Sequence, residues 1–365
     1  MQLKKQSGDF ILFFIVILLL SLGVLMVFSS SSYAAYIKVG DPYYYLKRQV
    51  NWSLIGVTGM LIASKVKLQQ LKRLATPMLL MSFVLLILVV VAGIKSHGAS
   101  RWLGVGSLSL QPSEVIKLTM VIYMAKALSS SQEKIQTFKQ GIIPNLMVLA
   151  LAGLLIMLQP DLGTTVAVAG TFFLLLLSAG AKISHLSFLA AGGISMVIAA
   201  IILEPYRMRR FTAYLRPFDD PTGAGFQTIQ SLLALGSGGL MGVGLGASRQ
   251  KLLYVPERHT DFIFSILGEE LGFLGTAVVI FLFFLFMLRG LKIAVEAPDA
   301  FSSLLAVGVT SMITLQAIIN IGVVTGALPV TGITLPFISY GGSSLVFTLL
   351  SVGLLLNVSR QSVKG

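Results

Sequence analysis

The chain has 365 residues, of which 55% are hydrophobic and only 11% charged, with a mean hydropathy of +0.89. Soluble domains carry about 25% charged residues, so a water-soluble globular protein is excluded. The absence of cysteine removes disulfides, thiol catalysis and thiolate metal sites. The net charge of +13 is scattered among loops rather than gathered on the single face that nucleic acid requires.

Apolar runs of roughly 17 to 25 residues, each enough to cross a ~30 Å hydrocarbon core, recur along the chain between short polar breaks. Runs such as Ile11 to Leu20 do not alternate apolar and polar, which argues against a barrel. The expected fold is an all-α polytopic membrane bundle of about ten helices, with the whole chain forming one membrane domain. The first span is placed at Phe10 to Phe28. It is too long for a signal-peptide core, and the Ser29 to Ser32 tract after it makes a poor cleavage site, so a retained helix is expected.

Spans two and three follow at Gln49 to Ser64 and Thr76 to Ile94. Ahead of the fourth lies SHGASRWLGVG (Ser96 to Gly106), where Trp102 suits a membrane interface and Arg101 suits an anion, because a guanidinium fork matches phosphate oxygens. Span four, Pro112 to Ala127, opens with proline at its first helical position and carries Glu114 and Lys117 on one face. Such a pair either neutralises itself between helices or lines a polar cavity.

Spans five to seven are placed at Ile142 to Leu158, Gly163 to Ala179 and Ser187 to Ile202. In the turn QPDLG (Gln159 to Gly163), Asp161 is positioned to cap span six. A long segment then runs from about Leu203 to Asp261. Loops of that length without a role are uncommon, and its middle, Phe226 to Gly246, is apolar enough to re-enter the membrane or lie on it. Its stretch Glu204 to Pro221 interleaves arginines, Arg210 among them, with aromatics, which suits anionic lipid head groups or a diphosphate.

The segment VPERHTDFIFSILGEELGF (Val255 to Phe273) runs a polar cluster of Arg258, His259, Thr260 and Asp261 into span eight, Phe262 to Leu288. Asp261 has two readings: a cap for that helix, or a carboxylate held at the membrane surface to take a proton from a hydroxyl. Glu269 and Glu270 lie about 12 Å further in. An unpaired carboxylate there costs ~2.5 to 3.5 kcal/mol, so at least one should face the bundle interior or a wet cavity. His97, His185 and His259 show no ligand spacing, which argues against zinc. Spans nine and ten are Phe301 to Thr325 and Gly341 to Leu356. Between them GVVTGALPVTGITLPFISYGGSS (Gly322 to Ser344) breaks the helical pattern, as backbone lining a site does, with Ser339 and Gly341 as candidate substrate contacts.

With the N-terminus inside, the cytoplasmic segments hold fourteen Lys and Arg residues, whereas the short outer loops hold only Lys38, Lys47, Arg48, Lys95 and Arg101. The positive-inside rule therefore puts both termini in the cytoplasm, as an even number of spans requires.

Six strings, GASRWL (Gly98 to Leu103), QPSEVIKL (Gln111 to Leu118), QPDLGT (Gln159 to Thr164), PERHTDFIF (Pro256 to Phe264), GEELGF (Gly268 to Phe273) and LPFISYGGSS (Leu335 to Ser344), together resemble the SEDS family (shape, elongation, division and sporulation) typified by FtsW, RodA and SpoVE. The wording is nearer the FtsW and SpoVE branch, and the resemblance covers essentially the whole chain. It implies a peptidoglycan glycosyltransferase that polymerises lipid II beside a class B penicillin-binding protein acting as transpeptidase. The family's essential acid matches Asp261, Trp102 matches a position needed for activity, and Arg101, Glu114 and Lys117 fall among cavity residues. Further candidate substrate contacts are Asp161, Arg210, Arg258, His259, Thr260, Glu270, Ser339 and Gly341. Leu253 is a departure, since some division homologues carry an acid there.

Inverting transfer from an α-diphosphate donor needs a base on the acceptor hydroxyl and positive charge on the departing diphosphate. Asp261 would be the base, with Arg101, Lys117, Arg210 and Arg258 as candidate cations and Mg2+ as a further candidate at the diphosphate. Two other readings are a transporter that flips lipid-linked precursor and a membrane scaffold of a division or spore-wall complex.

Overall fold

Each of the ten expected spans is a helix. In the computed structural model residues 8–96, 99–105, 108–251 and 257–361 are described, so Lys4, Lys5, His97, Leu253 and Lys364 lie outside the described residues. Three helices come first: α1 (Phe10–Val39), α2 (Tyr44–Ala63) and α3 (Leu68–Ala92). A small antiparallel sheet follows, of β1 (Ile94–Ser96), β2 (Ala99–Val105) and β3 (Leu108–Leu110), in the order β1-β2-β3. Then come α4 (Pro112–Ser130), α5 (Ile143–Met157) entered through a π-helical turn, α6 (Leu162–Ser178) and α7 (Ile183–Ile202). The long segment contains α8 (Pro205–Leu215) and α9 (Phe226–Gly238), and the chain closes with α10 (Ile263–Val295), α11 (Ala300–Val324) and α12 (Gly342–Ser359).

Among the described residues, seven helices are long and apolar enough to cross a bilayer by themselves: α1, α3, α5 with its π turn, α7, α10, α11 and α12. Helix α6 is apolar but shorter. Helices α2 and α4 carry more polar residues and are packed among the others, α2 against α12 and α1, and α4 against α3 and α11. Large apolar side chains on α3, α7 and α10 point outward, for example Val91, Phe188 and Phe281. Only a lipid environment makes such a surface favourable. Two expectations change. The segment between α3 and α4 is a strand ladder rather than a plain loop, and α1 continues through the serine tract to Val39.

Burial is deepest on α4, α11 and α12, which form the centre of the bundle. At one end, Asp9 caps α1 by accepting from Leu12 N at 2.9 Å, receives the Arg289 guanidinium of α10, and donates from its own N–H to Ser359 Oγ of α12 at 3.0 Å. One short acidic residue thus ties three helices together there.

Helix α10 is broken at Gly272, whose φ of +67° lies in the left-handed region that glycine tolerates without Cβ strain. The break releases backbone groups that membrane surroundings cannot satisfy. The segment after α9 takes them up. Val243 and Gly244 donate to the carbonyls of Glu269 and Glu270 at 3.0 and 3.1 Å, while Phe273 and Leu274 donate to the carbonyls of Gly239 and Leu240 at 2.8 and 3.2 Å. A Cβ at position 272 would sit 2.3 Å from Gly242 N, so glycine is required by space as well as by φ. The same region buries two carboxylates. Glu269 accepts from Ser248 Oγ and from Arg249 N, and Glu270 pairs with Lys251 Nζ at 3.0 Å while receiving Ser29 Oγ from α1.

Overpacking and backbone strain at this crossing are expected to make Gly272→Ala lose about 1 to 3 kcal/mol, read as a lower thermal unfolding midpoint in detergent. Glu270→Gln strands the Lys251 ammonium and should cost about 3 to 5 kcal/mol, because breaking a buried pair leaves an uncompensated charge. The double variant Lys251→Met with Glu270→Gln should lose less than Glu270→Gln alone, and equal losses would show that the pair is not coupled.

Candidate active site

Asp261 stands in the turn that leads into α10, and that turn is held from two sides. Ser339 Oγ donates to the Thr260 carbonyl at 2.7 Å and itself accepts from Leu335 N at 2.8 Å. Tyr340 N donates to the His259 carbonyl at 2.8 Å. From α11, Asn320 Nδ2 donates to the Asp261 carbonyl at 2.7 Å and to the Ile333 carbonyl at 2.7 Å. The irregular segment between α11 and α12 therefore grips the turn along its length. The capping reading does not hold for this acid: α10 begins at Ile263, its N-cap position is Phe262, and no side chain caps it. The Asp261 carboxylate faces Gly332 instead, where an added Cβ would lie 3.6 Å from Oδ2 and φ is +81°.

Gly332 is also a wall of a polar cavity lined by Arg101, Gln111, Glu114, Lys117, Asp161 and Gln316 among others. Asp261 stands at its rim. Inside, Lys117 Nζ pairs with Glu114 at 2.8 Å and donates to Gln316 Oε1 at 2.9 Å, and Gln316 Nε2 reaches the Thr334 carbonyl at 3.0 Å. Both members of the ion pair are buried, so the three-residue spacing read from the sequence brings them to one face as expected. Asp161 caps α6 through Thr164 N at 3.0 Å and Thr164 Oγ1 at 2.9 Å. Arg101 donates from Nε to the Gln159 carbonyl at 2.9 Å and from a terminal nitrogen to the Pro160 carbonyl at 2.5 Å.

Removal from water raises the Asp261 carboxyl to about 7, helped by the nearby charges of Glu257 and Asp161 and opposed by Arg210 and Arg101. Arg210 itself is exposed on α8, stacked over Tyr206 with its guanidinium 3.5 Å from the Val330 carbonyl. Burial pushes His259 down to about 4, so it is a neutral ring, packed between Tyr45 and Tyr340, and supplies no cation at neutral pH.

Several candidates stand elsewhere. Arg258 is buried and turned toward α1, donating from Nε to the Ser30 carbonyl at 3.1 Å. Glu270 is held by Lys251 and Ser29 and does not line the cavity. Trp102 follows Arg101 in β2, opposite Ile94; successive strand side chains point to opposite faces, and Trp102 is not among the cavity-lining residues. Thr260 folds back on its own turn, with Oγ1 2.8 Å from Glu257 Oε2. Ser339 acts on the turn rather than on open space, and Gly341 occupies the position before α12. Among the described residues no group of three or more His, Asp or Glu side chains could hold a metal ion. Gln316 and Asn320, which join the cavity walls, carry one weak sequence signal: two amides four residues apart on an otherwise apolar helix.

A family model described as cell cycle protein, of the FtsW, RodA and SpoVE type, matches residues 10–364. The chain is 48% identical to stage V sporulation protein E of Bacillus subtilis (strain 168), over 99% of this chain and 100% of the relative. It is 43% identical to the "Probable peptidoglycan glycosyltransferase FtsW" of Geobacter sp. (strain M18), over 98% of each. Its fold is similar to that of a chain solved in a peptidoglycan synthase complex that coordinates polymerization and crosslinking, with a TM-score of 0.81 at 32% identity, covering 98% of this chain and 99% of that one. The rod shape determining protein RodA of Thermus thermophilus matches with a TM-score of 0.74 at 29% identity, covering 98% and 99%. A multi-pass helical bundle with a polar chamber at one end, matched in sequence along nearly all its length, thus belongs to the FtsW, RodA and SpoVE family of cell cycle proteins.

Proposed function

We propose that this chain is a peptidoglycan glycosyltransferase that polymerises lipid II at the outer face of the cytoplasmic membrane, with both termini in the cytoplasm. The observation that carries the reading is a carboxylate at the rim of a polar cavity whose walls hold two fixed cations, Arg101 and Lys117. The Asp261 carboxylate takes the proton of an acceptor sugar hydroxyl as that oxygen bonds to the anomeric carbon of a diphosphate-linked sugar. On the opposite side of that carbon, the bond to the diphosphate breaks and its electron pair leaves with the phosphate oxygen, inverting the configuration. Lys117, already oriented by Glu114 and Gln316, and Arg101, oriented by two carbonyls, supply positive charge without rearranging, which is what makes preorganised groups effective. Arg210, exposed on α8, adds a further cation near Asp261.

The described residues offer no ready-made site for a divalent ion such as Mg2+. If one binds, Asp261 and the substrate's diphosphate oxygens are the groups at hand, and it would add charge neutralisation at the leaving group. The name and setting of the relatives support a transpeptidase partner, a class B penicillin-binding protein, that crosslinks the strands made here. The flippase reading is less well supported, because the polar residues gather at one end of the bundle whereas an alternating-access site lies near the midplane.

In detergent with its partner, the protein should convert lipid II to glycan polymer, and Asp261→Asn should lower the rate by roughly 10²- to 10⁴-fold at unchanged folding. A parental rate in that variant would remove Asp261 as the base. The base must be ionised to act, and its proton affinity is raised, so activity should be lost on acidification. Below a pH of about 7, kcat/KM should fall roughly tenfold per unit and should level off above it. A flat profile across that range would contradict an acid with this affinity.

A further inference from the structure

Asn320 is buried on α11 and takes no part in the transfer chemistry. Its Nδ2 donates two bonds of 2.7 Å, to the carbonyl of Asp261 and to the carbonyl of Ile333. Those acceptors belong to two different segments that meet beside the cavity. One is the turn that carries the acid; the other is the irregular segment whose Gly332, Ile333 and Thr334 line the cavity. The Oδ1 of the same amide is buried and meets no donor among the described residues. Turning the amide over would set that oxygen against two carbonyls, so the side chain serves as a donor to both segments in a single orientation.

This arrangement is more than ordinary tethering. Gln316, one turn earlier, holds the same segment through Thr334, but it also lines the cavity and engages Lys117. Asn320 is not among the cavity-lining residues and joins the Asp261 turn to the Ile333 segment through one rigid, planar group. Reacting groups must be held to within a fraction of an ångström, because small misplacements cost large factors in rate.

Resting on the assignment of Asp261 as base, we propose that Asn320 is a positioning residue, a two-pronged clamp that sets the separation between the Asp261 turn and the Gly332–Thr334 wall. The carboxylate then meets an acceptor hydroxyl at a fixed distance from the cations of the cavity.

The test compares the parent, Asn320→Ala, Asn320→Asp and Asp261→Asn, each in detergent with its transpeptidase partner and with purified lipid II as substrate. Asn320→Asp retains side-chain volume but offers one donor when protonated and none when ionised. The readouts are kcat, KM, the pH profile and the thermal unfolding midpoint. Both Asn320 variants should lower kcat by roughly tenfold or more with KM within about threefold, since the clamp orients the acid and not the bound lipid. In Asn320→Asp the acid limb should also move to higher pH. A further carboxyl would then join Glu257 of the same turn and Asp161 of the α6 start in opposing ionisation of Asp261, against Arg210 of α8 and Arg101 of β2.

Parental kcat in either variant overturns the clamp. So does a loss of kcat that follows the fall in unfolding midpoint while the acid limb stays in place, because that is the signature of stability alone. Asp261→Asn separates the two ideas. If it polymerises at the parental rate the base assignment fails, and the clamp with it. If it is inactive while the Asn320 variants work normally, only the clamp fails.

Discussion

A bilayer supplies no water to a broken helix, so every peptide group released by a break must be satisfied from within the protein. This chain interrupts its helical pattern twice at one end of the bundle, and the two repairs build that end. At Gly272 the repair is backbone to backbone, from the segment 239–244. Between α11 and α12 it is made by side chains: Gln316 and Asn320 reach the carbonyls of Thr334 and Ile333, and Ser339 reaches both Leu335 and Thr260. The second repair gathers the turn carrying Asp261 onto the irregular segment, and the space left between that segment, α4 and α6 is the cavity. Satisfying the backbone and shaping the site are one operation.

Charges inside the cavity obey the same economy. Lys117 is acceptable in the bundle because Glu114 pairs with it and Gln316 accepts a hydrogen bond from it. Arg101 has two carbonyls to donate to, at Gln159 and Pro160. Burying a charge without such partners would cost several kcal/mol. Asp261 is the exception, placed where no described group donates a hydrogen bond to its carboxylate and where burial raises its proton affinity. A group so poorly accommodated as an anion is well suited to accept a proton from a substrate.

Much of this was legible in the residues. Span length and apolar content depend on bilayer thickness alone, which is why ten helices fall where the hydropathy places them, and the three-residue spacing of Glu114 and Lys117 dictates one face on any helix. The cap at Asp161 follows from local chemistry in the same way. Asp261 did not, since its partners come from α11 and the α11–α12 segment, far away in sequence. Glu270 looked equally suited to the cavity, yet its direction depends on Lys251 and Ser29, one in the long segment and the other in a serine tract that reads as low complexity. The strand ladder at 94–110 is short and rich in glycine and serine, so no period-two signal distinguishes it from a loop.

The break in α10 has a mechanical side. A continuous rod of thirty-three residues would transmit any tilt of its membrane shaft directly to its tip. With the crossing at Gly272, the stub from Ile263 to Leu271 and the first residues of the shaft, Phe273 and Leu274, are both bonded laterally to the segment 239–244, while Arg289 further along the shaft is tied to Asp9 at the start of α1. The tip that follows the Asp261 turn and the opposite end of the helix are thereby anchored separately, each by its own set of bonds.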